Sequence, residues 1–139
     1  PDDIGRLRVL RLTSLYKAEQ YQVVASEANL CLEEDRHPRR GIQILYLAWA
    51  ASRRVGEQEK ADTLAARFLK VYPTHSLAAD VLYANAMGAL AQADYSQAHQ
   101  ILSRIAREFP DSRVGGRVEK LLKRLAPLMT EAQSKQTAQ

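Results

Sequence analysis

The sequence predicts an all-α protein in which about three helical hairpins stack in series and a final helix caps the open end. Three observations predict it. Strand signals are nearly absent: no Asn-Gly or Asp-Gly turn separates alternating apolar runs, while Ala, Leu, Glu, Gln, Lys and Arg, the strong helix formers, dominate. Punctuation divides the chain into seven helical segments joined by very short links, which force neighbours into antiparallel hairpins. Finally, the chain repeats itself at a fixed period of 37 residues, the signature of a stacked-repeat architecture.

Taken in order, the segments span residues 4–17, 19–35, 39–55, 57–71, 76–92, 94–108 and 112–129, with the polar tail "TEAQSKQTAQ" expected to fray. They group into repeats 4–38, 39–75 and 76–110 and the cap helix 112–129, a repeat domain over 1–129 with a flexible tail over 130–139. The period is carried by Pro73 and Pro110, by Tyr46 and Tyr83, and by Val24, Ala61 and Ala98, with Tyr21, Gln58 and Tyr95 on a further series. Pro73 and Pro110 each follow an aromatic residue and stop a helix, because proline cannot extend the hydrogen-bond ladder and biases its predecessor away from the helical region. The polar residues after them, Thr74 or Ser76 and then Asp111 or Ser112, are expected to cap the next helix. In the first unit Pro38 is expected inside the first turn of the following helix.

Small residues at Ala61 and Ala98 mark where the two helices of a hairpin cross, since a larger side chain would push the axes apart. Between hairpins the expected core is Leu45, Trp49, Phe68, Leu82, Leu102 and Ile105. Gly115-Gly116 stands where the preceding repeat has Ala78-Ala79, and close packing against helix 94–108 is the expected reason, with a hinge as the other.

At 139 residues, 46% hydrophobic and 26% charged, the composition suits one compact soluble domain. No window approaches the roughly 18 uninterrupted apolar residues of a spanning helix, and the N-terminus lacks the layout of a signal peptide. Because the chain opens on Pro1, a mature or excised piece of a longer protein is expected. A single cysteine, Cys31, excludes an internal disulfide and a thiolate-rich metal site, and reads as a small core residue.

The third unit, "ADYSQAHQILSRIAREFP", sets a small residue, Asp, Tyr, two residues and Ala ahead of apolar positions and a closing Pro; the second, "VGEQEKADTLAARFLKVYP", keeps Gly56, Ala61, Ala65, Phe68 and Pro73, while the first is degenerate, with Val24 in place of Ala. In these residues the chain resembles the tetratricopeptide repeats. The longer period and the "YP-x-x-S" and "FPDS" joints look like the variety found in bacterial cell-envelope proteins, such as outer-membrane assembly lipoproteins and Tol-Pal accessory proteins. That resemblance implies a right-handed α-α superhelix, a periplasmic or envelope location ahead of a cytoplasmic one, and a concave groove lined by the first helix of each hairpin. Carried over residue by residue, it implies a partner-binding set of Arg6, Thr13, Tyr16 and Lys17, then Gln43, Tyr46, Ala50, Arg53 and Arg54, then Asp80, Tyr83 and Met87, with Arg117, Lys120 and Arg124 from the cap helix. Relatives that clamp a terminal carboxylate place lysine where this chain has Val9, Tyr46 and Tyr83, so that activity is not expected.

Arginine and tyrosine dominate binding hot spots because they join large contact area to hydrogen-bond donors. A basic, tyrosine-bearing groove therefore predicts a non-catalytic protein-interaction scaffold for a partner segment of acidic character. The alternatives are a helical-repeat nucleic-acid binder or a structural spacer within a larger protein. Against nucleic acid, the net charge is only +4, 16 acidic residues are interspersed, and only "RVGGRVEKLLKR" forms a basic stripe. No enzyme is expected, and no cofactor or metal: His37, His75 and His99 lack zinc-site spacing, no nucleophile or phosphate-loop motif occurs, and Glu33-Glu34-Asp35 reads as a solvated acidic face or a contact for a basic group.

Overall fold

In a computed structural model that describes residues 2–34 and 38–137, with side chains described over 3–34 and 40–131, the protein is all helix. Among the described residues seven helices follow one another: α1 (Asp2–Lys17), α2 (Tyr21–Glu34), α3 (Pro38–Arg54), α4 (Gln58–Val71), α5 (Ala78–Ala91), α6 (Tyr95–Glu108) and α7 (Gly115–Thr137). Among the described residues there is no strand. The contacts separate two compact units, 1–73 and 74–139. In the first, α1 packs on α2 and α3, α2 on α3, and α3 on α4; in the second, α6 packs on both α5 and α7.

The 37-residue period is written into the backbone. Among the described residues, Glu19, Gly56 and Ala93 have positive φ (61°, 83° and 58°), and each is 37 positions from the next. All three end a first helix in the same way. The amide of the left-handed residue donates three residues back, to Tyr16, Arg53 and Leu90, and the next amide donates five back, to Leu15, Ser52 and Ala89. Those paired bonds satisfy carbonyls that the helix end would otherwise leave bare, and they reverse the chain within two residues. The second helices then start at Tyr21, Gln58 and Tyr95, again in register. Their ends match too: Tyr72 donates to Phe68 and Phe109 to Ile105, both at 2.8 Å, ahead of Pro73 and Pro110.

Val24, Ala61 and Ala98 are buried, as the crossing positions require, and so are Leu45, Trp49, Phe68, Leu82, Leu102 and Ile105. Pro38 opens α3. Some expectations are corrected. Cys31 is half-buried rather than core. Capping after the prolines does not use the hydroxyl and carboxylate residues expected. Instead the His75 Nδ1 accepts the Leu77 amide at 3.1 Å, and the Ser112 hydroxyl is buried with no hydrogen-bond partner. The helices accordingly begin later, at Ala78 and Gly115, behind a tight turn in which Ala78 donates to the His75 carbonyl and Gly115 to that of Ser112. Gly115 is needed against that joint and not against α6: a Cβ there would sit 3.0 Å from the Pro110 carbonyl oxygen, whereas one at Gly116 would meet nothing. α7 also continues past the expected end at 129, through Pro127, to Thr137. His37 and Asp35 lie outside the described residues.

Candidate functional site

In unit 1 the expected residues gather on the last turns of α3 and on the α1–α2 corner beside them. Spacings of three and four residues put Tyr46, Trp49 and Arg53 on one face of α3. Tyr46 and Trp49 are tilted rings with centroids 5.4 Å apart, and the Arg53 guanidinium lies over the indole at 5.1 Å. Trp49 is buried, Tyr46 half-buried and Arg53 exposed, so the ladder runs from core to solvent. A cation held over an indole at an exposed site is worth about 0.5–1 kcal/mol, enough to restrict the arginine without hiding its donors.

Arg54 is used differently. Its guanidinium sits 5.5 Å from the Tyr21 ring centroid, and Tyr21 stands edge-on to Tyr16 at 5.0 Å. A hydrogen bond with Tyr16 is the main cause that raises the Arg54 pKa above its ordinary value, with Glu19 nearby adding a small charge contribution. Arg54 and Tyr16 thus pin the end of α3 to the first hairpin's corner. Two further members of the expected set are also occupied inward: the Thr13 hydroxyl donates to the Val9 carbonyl at 2.8 Å, and Ala50 is buried. Arg6, Lys17 and Gln43 are exposed on the first helices.

In unit 2, Tyr83 and Met87 are half-buried on α5, and Arg117, Lys120 and Arg124 form an exposed basic stripe at i, i+3 and i+7 on α7. Asp80, only 15% exposed, receives the Arg113 guanidinium from the joint before α7. This pair borders a hollow of about 570 Å³ lined by Ser76, Leu77, Asp80, Phe109, Pro110 and Ser112 among others. The hollow was not foreseen from sequence. Its signal was present in the polar joints that follow each proline, which read as caps.

His75, in the joint before α5, and His99, on α6, are both half-buried. Of the acidic triplet, Glu34 pairs with Arg8 at 3.1 Å. Among the described residues no cluster of His, Cys, Asp and Glu is arranged to hold a metal ion, and no helix is long and apolar enough to cross a membrane. Comparison with protein-family models, with curated proteins and with solved structures finds no match.

Proposed function

We propose that the chain is a non-catalytic protein-interaction scaffold of the tetratricopeptide kind, holding a partner segment of acidic character against the first helices of its hairpins. One observation carries this reading: the Tyr46–Trp49–Arg53 ladder on α3, where an exposed guanidinium is preorganised over a buried aromatic. A carboxylate that reaches Arg53 gains charge-assisted hydrogen bonds, while apolar neighbours on the segment cover the Tyr46 ring. Because Arg53 is already restrained by the indole, less side-chain entropy is lost on binding than for a free arginine. The basic stripe of α7 supports a preference for acidic segments in unit 2 by the same chemistry.

The test uses a partner captured by pull-down and measured by calorimetry at several salt concentrations. Arg53→Glu and Tyr46→Ala are each expected to weaken binding at least tenfold while the fold persists, and affinity is expected to fall with salt without vanishing. Binding to random DNA or RNA with a steep salt dependence would place the chain among nucleic-acid binders instead. Arg54→Ala serves as the contrast: it removes a corner pin, so its main effect is expected on the melting temperature. Full binding by folded Arg53→Glu and Tyr46→Ala chains would exclude the α3 face.

A further inference from the structure

The first hairpin exposes an apolar face, part of which the later repeats bury. Ile4, Leu7 and Leu10 on α1 are 62%, 63% and 62% exposed, and Leu30 on α2 is 61% exposed. Two ion pairs bring the α1 and α2 residues to one surface. Arg11 grips Glu27 with two bonds of 2.8 and 3.0 Å, Arg8 reaches Glu34 at 3.1 Å, and Leu30 lies within one turn of both glutamates. The result is an apolar patch crossed by paired charges, on a chain where single exposed apolar residues would be unremarkable but a cluster marks an interface.

The 37-residue register says what such a face takes. Leu7 corresponds to Ile44 on α3 and to Val118 on α7, both 0% exposed, and Leu10 corresponds to the buried Leu47. Within its own unit, α3 packs on α2 and α7 on α6, so each of these first helices lies against the second helix of the hairpin before it. At α1 the same positions carry apolar side chains of like size, and among the described residues no helix stands in that place. The last helix shows how this sequence finishes an end that needs none: Glu119 and Lys123, at the positions of Leu45 and Trp49, are charged and exposed. Terminal repeats that face water carry polar outer faces, and α7 does so where α1 does not.

We propose that the Ile4–Leu7–Leu10–Leu30 surface is a docking site for one amphipathic helix of the kind that forms the second helix of this chain's own hairpins. The occupant presents an apolar stripe and carries charges of both signs along its edges to meet Arg8–Glu34 and Arg11–Glu27. This surface is separate from the Tyr46–Trp49–Arg53 ladder, and its test does not depend on that reading.

The probe is the chain's own α6 with its following joint, residues 94–113, fused directly ahead of Asp3, which preserves the 37-residue register. Tethering supplies a high effective concentration and offsets the instability of a short free helix. Amide exchange along α1 is expected to slow at least tenfold relative to the parent chain. Leu7→Glu in the fusion is expected to return α1 to the parental rate, while the exposed Arg67→Glu on α4 leaves the protection in place. Unchanged exchange in the fusion, or protection that survives Leu7→Glu, overturns the proposal. So does a parent chain that is dimeric by light scattering and becomes monomeric with Leu7→Glu, since the face would then serve self-association.

Discussion

Replacing Ala93 by glycine is expected to stabilise the protein, although glycine normally weakens a helical chain. Ala93 has φ of 58°, a left-handed conformation that costs an L-residue roughly 1–2 kcal/mol. Glycine removes that cost and introduces its own, about 0.5–1 kcal/mol of extra freedom in the unfolded chain. The net gain is therefore about 0.5–1 kcal/mol. Gly56 supplies the reverse experiment in the same turn one repeat earlier. Its φ is 83° and a Cβ there would meet nothing within 4 Å, so Gly56→Ala tests backbone strain with no steric contribution and is expected to lose a similar amount. Ala66→Gly, at an exposed site inside α4, is the control and is expected to lose about 1 kcal/mol through helix propensity alone. Urea unfolding followed by circular dichroism reads all three as midpoint shifts of about 0.5 M at unchanged slope, given slopes of roughly 1–3 kcal/mol/M. A loss for Ala93→Gly that matches the control would refute the argument, because the residue would then have to be in an ordinary helical conformation.

Ala98→Trp is expected to lower the melting temperature sharply or abolish folding, because Ala98 is fully buried on α6, which packs on both α5 and α7, and no rotamer of the indole fits without moving an axis; an unchanged melt would mean that 98 is not a crossing position. The pH dependence of stability is expected to show the Arg11–Glu27 pair. The hydrogen bond from Arg11 holds Glu27 below the ordinary carboxylate range, so the pair's contribution is present above the unfolded carboxylate pKa and is lost as pH falls through the lower folded value. Glu27→Gln should therefore lose less stability than the parent on acidification below about pH 4.5, and parallel acid titrations of the two would contradict the pairing.

Much of the fold was legible because backbone requirements and residue types coincided. A proline after an aromatic residue ends α4 and α6, and alanine at a helix crossing reports itself by size, so the register and the buried series could be read directly. The turns were harder. Glycine marks the left-handed position only at 56; Glu19 and Ala93 occupy the same conformation with residues that carry no such signal, and the Asp94 carboxylate that accepts the Gln97 amide caps α6 where the other repeats have Gln20 and Glu57. The joints misled for a related reason. A serine or aspartate after a proline looks like a cap, but a 37-residue repeat spends extra residues on a tight turn, so the helices start near Ala78 and Gly115 and the hydroxyls are left behind.

The candidate surface was legible as chemistry and not as availability. Sequence identified arginines and tyrosines on the first helices, yet it could not say which of them the fold consumes. Arg53 and Arg54 are adjacent and identical, but a helix turns by about 100° between neighbours, so one lies over Trp49 of its own helix and the other over Tyr21 of α2. Both are exposed, but a partner that draws on Arg54 competes with its hydrogen bond to Tyr16. The same distinction separates Asp80, which meets Arg113, from the exposed Arg117, Lys120 and Arg124. A repeat protein is held together by aromatic and charged contacts of the type it would also use to bind. On the reading proposed above, binding rests on the copies of each pattern that the neighbouring helix uses least, and on α3 Arg53 is such a copy beside Arg54.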